Sequence, residues 1–189
     1  MGNVQIITGN YKRRKIKTPG ERTHPMGERE RLALFNMISS YLLGATVVDA
    51  YAGSGALGIE ALSRGAKSVI FIEKNPKAMQ IIKENCAFLG IEKEKTVFYC
   101  GSVDMFCKKS SDAKKKDSAF NSLRKVGIIL ADPPYDRFNL EEVGSLIRFL
   151  APKGILVLSH PDEAPVLAEM QLLKTQQYAS AHLSIYKKD

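Results

Sequence analysis

The sequence predicts a doubly wound α/β domain in which a mostly parallel sheet ends in an antiparallel strand and an N-terminal β-hairpin is added. Four short runs rich in β-branched residues are apolar on both faces, which is typical of buried parallel strands. They cover residues 45–50, 68–73, 95–100 and 126–131. Helical patterns at 56–63 and 76–89 separate the first three runs, and this alternation favours βαβ units. The chain, residues 1–189, has the length of a single domain.

The N-terminal part is predicted to form a hairpin extension, residues 1–25, because two short alternating segments flank Gly9 and Asn10. The following segment, 28–43, has apolar residues at near-helical spacing and therefore predicts an amphipathic helix. These apolar residues are Leu32, Phe35, Ile38 and Leu42.

A lysine-rich stretch at 108–125 is polar and weakly periodic, which predicts an exposed insertion between the third and fourth strands. Regular elements resume after the fourth strand. In chain order we expect a helix at 140–150, a Pro-Lys-Gly turn at 152–154, a strand at 154–160, a helix that starts near Asp162, and two strands joined by a short turn within 170–188.

The formal charge is +8, from 28 Lys and Arg against 20 Asp and Glu, and this excess favours a polyanionic partner. Two clusters concentrate the excess, one in the hairpin and one in the insertion at 108–125. Either cluster could equally be a solvated surface. The hairpin cluster consists of Lys12, Arg13, Arg14 and Lys15.

The three cysteines have neither the paired spacing of a zinc site nor the even number expected of disulfides, so we expect reduced thiols. The three histidines are scattered, and no metal site is predicted. The N-terminus lacks a signal-peptide pattern, and no apolar run approaches the roughly 18 residues of a membrane span. We therefore expect a soluble cytoplasmic protein.

A glycine loop, residues 51–58, lies between the first parallel strand and a helical pattern, and contains Gly53, Gly55 and Gly58. Glu73 ends the next strand, at the spacing of a nucleotide-binding fingerprint in which an acid binds ribose hydroxyls. Asp49 precedes the loop, and its carboxylate would repel a pyrophosphate but attract a cation. This favours S-adenosylmethionine over a dinucleotide, unless Asp49 merely caps the turn.

The Asp-Pro-Pro-Tyr loop, residues 132–135, follows the fourth strand and so lies at the same carboxyl edge of the sheet. The Asp132 carboxylate and the Pro133 carbonyl could accept hydrogen bonds from an exocyclic amine, and the prolines would stiffen the loop. The ring of Tyr135 could stack on an extruded base, typically worth ~1–3 kcal/mol, with no need of its hydroxyl. By itself the tetrapeptide could also be a type I turn with an aromatic plug.

With these motifs, nearly the whole chain resembles the RsmD family of small-subunit (16S) ribosomal RNA guanine-N2 methyltransferases, which have the Rossmann-like class I fold. The matching stretches are "IITGNYKRRKI", "RERLALFNMI", "VVDAYAGSGALGIEALSRGA", "IEKN", "ADPPY" and "AHLSIYKK". The resemblance implies methyl transfer to ribosomal RNA, free or within a small-subunit assembly particle, by a monomer.

Motifs and resemblance together assign three sets of residues. The catalytic set is Asp132, Pro133, Pro134 and Tyr135. The set that binds S-adenosylmethionine is Asp49, Gly53, Ser54, Gly55, Glu73, Lys74, Ser102 and Val103. The set that binds RNA is Lys12, Arg13, Arg14, Lys15, Arg29 and Arg31.

The chain departs from the family pattern at three places. The family's Arg-Pro-Thr-x-Asp-Arg-x-Arg is replaced by residues 24–31, which keep Arg29 and Arg31 but lack the threonine. Ser102 stands where the family has an Asp or Asn for the adenine amino group, and Ser159 stands where it has a glutamate. Two alternatives stay open, an adenine-N6 DNA methyltransferase and a non-catalytic RNA-binding assembly factor on the same fold.

Overall fold

A computed structural model of the chain describes residues 2–20, 26–111, 126–178 and 181–189. Its strands are β1 (Asn3–Gln5), β2 (Lys15–Lys17), β3 (Thr46–Ala50), β4 (Ser68–Glu73), β5 (Thr96–Cys100), β6 (Val126–Ala131), β7 (Leu150–His160), β8 (Met170–Tyr178) and β9 (Ala181–Lys188). Its α-helices are α1 (Glu28–Met37), α2 (Ser39–Leu42), α3 (Ala56–Ser63), α4 (Pro76–Phe88), α5 (Val103–Ser111) and α6 (Leu140–Leu146). None of the helices in these ranges has the length and apolar character to cross a membrane.

The predicted doubly wound sheet is confirmed. Seven strands are ordered β5-β4-β3-β6-β7-β9-β8, with β1 and β2 forming a separate antiparallel pair. The five strands from β5 to β7 are parallel, whereas β9 is antiparallel to both β7 and β8. The chain winds from β3 outward to β5, then returns to β6 on the other side of β3. The carboxyl ends of β3 and β6 therefore form a topological switch point, where such sheets bind ligands.

Both faces of the central strands β3, β4 and β6 are buried, which explains why these parallel strands are apolar throughout. Successive residues point to opposite faces, so that Val47 joins the core under α1, α3 and α4 while Val48 joins the core under α5 and α6. Both valines are fully buried.

The predicted helix at 28–43 is divided at Ile38, where α1 ends and the short α2 follows. Its buried face also differs from the prediction, because Arg31 is buried while Leu32 is 39% exposed. Helix α5 differs from the prediction, because its last residues fall within the stretch 108–125 that the sequence predicts to be an exposed insertion. Residues 108–111 belong to α5, and the rest of that predicted insertion lies outside the described residues.

Two predictions near the C-terminus are wrong. The helix predicted from Asp162 is absent from the described residues 161–169, where Pro165 would remove a helical hydrogen bond. The turn predicted at 152–154 lies inside β7 instead, as an irregularity where Lys153 has a φ of 63° and the pairing with β6 shifts register. Pairing on both sides of that turn keeps the strand continuous, as at a β-bulge. The predicted helix at 140–150 ends earlier, since β7 already begins at Leu150.

A buried carboxylate attaches the N-terminal segment to α3. Glu60 is fully buried, and its two carboxylate oxygens accept hydrogen bonds from the backbone N–H groups of Ile7 (2.7 Å) and Thr8 (3.0 Å). The guanidinium Nε of Arg64 donates to the same carboxylate at 2.8 Å. Each hydrogen bond compensates for burying the Glu60 charge, so the hairpin and α3 stabilise one another.

Ser63, at the end of α3, provides a second attachment. Its backbone carbonyl accepts from the Asn10 N–H at 2.8 Å, and its hydroxyl accepts from the Tyr11 N–H at 2.9 Å. This close approach requires glycine at position 9, because a Cβ there would lie 1.8 Å from the Ser63 carbonyl oxygen and the φ of Gly9 is 85°.

We expect Glu60→Ala to lower the free energy of unfolding by about 3–5 kcal/mol, because it leaves Arg64 and two backbone N–H groups buried without their acceptor. Urea unfolding followed by circular dichroism measures this loss. The control is Glu92→Ala, which removes only an exposed ion pair with Lys95 and should leave the free energy of unfolding nearly unchanged. Equal losses in the two variants would contradict a structural role for Glu60.

Candidate functional site

A crevice opens outside the carboxyl ends of β3 and β6, and its volume is about 800 Å³. This volume is in the range of sites that enclose a cofactor or drug-sized ligand. The glycine loop, the end of β4, the start of α5 and the Asp-Pro-Pro-Tyr loop all line it. The structure therefore brings the two main sequence motifs into one cavity, as their positions after β3 and β6 predicted.

The glycines act through backbone conformation and packing. Gly53 and Gly55 have φ angles of 57° and 78°, in the left-handed region that favours glycine. Gly55 does not line the crevice itself but precedes the first turn of α3. A Cβ at Gly58 would lie 2.4 Å from a ring carbon of Phe71, so that glycine allows α3 to pack closely against β4.

Asp49 lies at the base of the crevice and is 1% exposed. Its Oδ2 accepts a hydrogen bond from the Gly58 N–H at 2.8 Å, so the carboxylate does support the turn into α3. Burial raises the pKa of Asp49 well above its ordinary value, the Gly58 N–H opposes this, and the carboxylates of Asp132 and Glu73 raise it further. A cation bound beside Asp49 would favour its ionised form.

Glu73 is held at the end of β4 by two backbone groups. Its Oε2 accepts from the Gly53 N–H and its Oε1 from the Asn75 N–H, both at 2.8 Å. These bonds orient the carboxylate at the crevice wall, and each oxygen keeps a lone pair for a further donor such as a ribose hydroxyl. Ser54 and Lys74, which neighbour these residues in sequence, also line the crevice.

The crevice is acidic although the chain is basic. Five carboxylates line it besides the exposed Asp136, and each comes from a different helix or strand or from the loop that follows it. They belong to Glu30, Asp49, Glu73, Asp132 and Glu142. This concentration of negative charge favours a ligand that carries positive charge near the glycine loop.

Asp132 follows β6 directly and is half-buried. Its pKa is raised to about 6 by the combined effect of its surroundings: burial raises the pKa most, a hydrogen bond from the Ser159 hydroxyl lowers it, and the Glu30 carboxylate raises it. Pro133 is buried and Pro134 is exposed, and both line the crevice. Asp132 is therefore a hydrogen-bond acceptor whose protonation changes slightly below neutral pH.

Tyr135 begins a 3₁₀ turn at 135–137 and is 36% exposed, which leaves part of its ring open to the crevice. Its hydroxyl lies 2.6 Å from the Ser159 hydroxyl. The sequence motif predicts a role only for the ring, and the structure adds this contact of the hydroxyl.

The start of α5 forms another wall through Ser102 and Val103. The Ser102 hydroxyl accepts from the Met105 N–H at 3.2 Å, which caps the helix. Asp104 forms an ion pair with Lys108 at 2.8 Å and does not line the crevice. An acidic side chain does line the crevice near Ser102, but it belongs to Glu142, which accepts a hydrogen bond from the Asp104 N–H at 3.1 Å.

Sequence reasoning missed Tyr51, Glu142 and Asn85. The Tyr51 hydroxyl donates to Glu142 Oε2 at 3.0 Å across the crevice. Asn85 is buried in α4 and donates to the backbone oxygens of Ser54 (3.0 Å) and Lys17 (2.9 Å), joining the hairpin to the glycine loop. The position of Tyr51 inside the glycine loop was a signal for it, but no sequence pattern indicated the other two residues.

The predicted RNA-binding residues divide into two groups. The hairpin cations at 12–15 are exposed, as is Arg29. Arg14 also stacks on the Phe88 ring, with 4.8 Å from guanidinium carbon to ring centroid. Arg31 is not on this surface, because it is 2% exposed and donates to the Gln5 carbonyl at 2.9 Å, which places it in the support of the hairpin and the crevice wall.

Comparison with known proteins identifies the family. A family model described as conserved hypothetical protein 95 matches residues 4–187. The chain is 31% identical to ribosomal RNA small subunit methyltransferase D of Haemophilus influenzae over 172 residues, which cover 88% of this chain and 83% of that protein. It is 30% identical to the protein of the same name from Escherichia coli K12 over 191 residues, covering 98% and 84% of the two chains.

A solved structure agrees with these relatives. The Escherichia coli protein yhhF superposes with a TM-score of 0.82 at 28% sequence identity, and the match covers 100% of this chain and 99% of that one. The resemblance to the RsmD family is confirmed by these matches, as is the class I methyltransferase fold. The chain therefore belongs to the family described as conserved hypothetical protein 95.

Proposed function

We propose that the protein transfers the methyl group of S-adenosylmethionine to the N2 amino group of a guanine in small-subunit ribosomal RNA. One observation carries this proposal: the amine-accepting Asp132 and the ring of Tyr135 share one crevice with Asp49 and Glu73. A cofactor site and a site for a flat, amine-bearing base thus meet at the same switch point.

S-adenosylmethionine is the cofactor, and the residues present fit it. It carries an ammonium, a sulfonium and a ribose diol but no phosphate, so it suits a crevice rich in carboxylates. Asp49 would hold the positive charge, and Glu73 would accept from the ribose hydroxyls. Ser102, Val103 and Lys74 would form the walls around the adenine. When bound, the cofactor supplies an electrophilic methyl group on its sulfonium.

The Asp-Pro-Pro-Tyr loop would activate the amine. An exocyclic amino group is a poor nucleophile because its lone pair is delocalised into the ring. Acceptance of its N–H groups by the Asp132 carboxylate and the Pro133 carbonyl would localise the lone pair on nitrogen. As the nitrogen gains its bond to carbon it loses one proton, for which the Asp132 carboxylate is the adjacent acceptor. The Tyr135 ring would hold the base by stacking.

The choice of ribosomal RNA is supported by the relatives, two of which are named ribosomal RNA small subunit methyltransferases. The choice of the guanine N2 amine rests on the resemblance to the RsmD family. The basic hairpin surface, Lys12 to Lys15, would contact RNA phosphates outside the acidic crevice.

The test supplies purified protein and labelled S-adenosylmethionine with ribosomal RNA, small-subunit particles and duplex DNA in parallel, and then digests each product to nucleosides. We expect label in N2-methylguanosine. Label in N6-methyladenine from DNA would support the alternative enzyme, and absence of label from every substrate would support a non-catalytic RNA-binding factor.

Asp49→Asn should weaken S-adenosylmethionine binding by at least ~10-fold, because removing the partner of a sheltered charge typically costs ~2–5 kcal/mol. Asparagine keeps an oxygen for the Gly58 N–H, so the turn into α3 should survive. Isothermal titration calorimetry measures the affinity, with Asp104→Asn as a control because Asp104 lies outside the crevice. Unchanged affinity would remove this role from Asp49, and tight NAD binding without S-adenosylmethionine binding would overturn the cofactor itself.

Asp132→Asn should lower kcat by at least ~10²-fold while S-adenosylmethionine still binds, since the lost interaction acts mainly in the transition state. In the parent protein, kcat should fall as the pH drops through about 6, because a protonated Asp132 no longer accepts from the amine. Single-turnover assays between pH 5 and 8 measure both effects. The control is Asp136→Asn, on the same loop but 72% exposed and paired with Arg137. A similar loss in both variants would show that the effect is not specific to Asp132.

Replacing Lys12 and Arg13 together by Ala should reduce the slope of log affinity for RNA against log salt by about 1.4, since each phosphate contact on a single strand contributes about 0.7. This pair leaves the stacking of Arg14 on Phe88 intact. Fluorescence anisotropy at several salt concentrations measures the slope, with Lys153→Ala/Lys174→Ala on β7 and β8 as the charge-matched control. An unchanged slope would mean that the hairpin is a solvated surface.

A further inference from the structure

Ser159 lies between the two functional side chains of the Asp-Pro-Pro-Tyr loop. In the parallel pairing of β6 with β7, Leu130 is opposite Val157 and Ala131 is opposite Leu158, so Asp132 follows at the level of Ser159. Ser159 is 3% exposed, and its hydroxyl lines the crevice. Its hydroxyl lies 2.6 Å from the Tyr135 hydroxyl, and the strand register places it beside Asp132.

The number of protons limits how hydrogen bonds among Tyr135, Ser159 and Asp132 can be directed. An ionised carboxylate only accepts, and a serine hydroxyl has one proton to donate. When Ser159 directs that proton to the Asp132 carboxylate, its oxygen can accept the proton of the Tyr135 hydroxyl. The three groups can thus form a chain from Tyr135 through Ser159 to Asp132, in which each hydrogen bond would strengthen the other.

We propose that Ser159 is a positioning residue for methyl transfer, which fixes the stacking ring of Tyr135 and the accepting carboxylate of Asp132 relative to one another. This inference rests on the proposed function. The prolines at 133 and 134 restrict the backbone of the loop, but neither restricts the side chains at its two ends. Ser159 is placed to restrict both, because β7 is paired with β6 and β9 on its two sides and holds this residue beside Asp132 and Tyr135.

The Ser159 hydroxyl also affects the protonation of Asp132. Several groups face this carboxylate from the surrounding elements: Glu30 from α1, Asp49 from β3, and Tyr135 from its own loop. The first two are acids that favour the protonated form, and the Ser159 hydroxyl opposes them by donating to the ionised form. Loss of the hydroxyl should therefore raise the pKa of Asp132.

The first experiment follows the Asp132 carboxyl by ¹³C NMR in protein labelled at aspartate, with its signal assigned by comparison with Asp132→Asn. We expect a higher titration midpoint in Ser159→Ala than in the parent. Ser184→Ala is the matched control, because it removes an equally buried hydroxyl from β9 that bonds His160 and Thr175 instead. This measurement needs neither RNA nor cofactor, and an unchanged midpoint in Ser159→Ala would overturn the inference even if the proposed function is correct.

The second experiment measures methyl transfer against pH. Ser159→Ala should lower kcat by about 10-fold and move the acid limb of the profile to higher pH, the loss expected for one hydrogen bond to a charged group. Ser159→Thr keeps the hydroxyl, so its acid limb should return to the pH of the parent profile. Tyr135→Phe should raise KM, because the ring loses the hydrogen bond that holds it to Ser159. The sequence alone predicts instead that this variant is nearly silent, since stacking needs only the ring. A profile of Ser159→Ala that superimposes on the parent profile would overturn the inference, whereas inactivity of the parent would instead contradict the proposed function.

Discussion

The parallel pairing of β3 with β6 is the constraint on which the site depends. These strands are distant in sequence, and the residues that follow each of them supply different chemistry, a cofactor loop after β3 and an amine-accepting loop after β6. Because Asp49 pairs with Leu130, Asp132 lies only two residues beyond the same level of the sheet. A shift in register would separate the two loops and place their side chains on other faces.

Charge is divided between the inside and the outside of the molecule. Carboxylates line the crevice, whereas the exposed hairpin and the chain as a whole are basic. A buried acid alone would be costly, and the raised pKa values of Asp49 and Asp132 reflect that cost. This division suits a small cationic ligand in the crevice and a polyanion on the surface. It also explains why the net charge predicted a polyanionic partner but not the character of the crevice.

The hairpin is part of the framework as well as an exposed surface. Glu60 and Ser63 attach it to α3, Arg31 supports it from α1, and Asn85 joins its second strand to the glycine loop. The basic tip is thus connected through buried hydrogen bonds to the cofactor loop. Contacts of this kind join segments more than twenty residues apart, so no local sequence pattern predicts them.

The sequence alone determined the doubly wound sheet, the glycine loop and the Asp-Pro-Pro-Tyr loop, because periodicity, turn residues and motif spacing are local properties. It failed where distant partners override local preference, as in the irregularity of β7 at Lys153 and the inward position of Arg31. Only the tertiary structure decided that the Tyr135 hydroxyl bonds Ser159 and that Glu142 faces the start of α5. The physical reason is that strand pairing and helix packing, not spacing along the chain, set which buried polar groups meet.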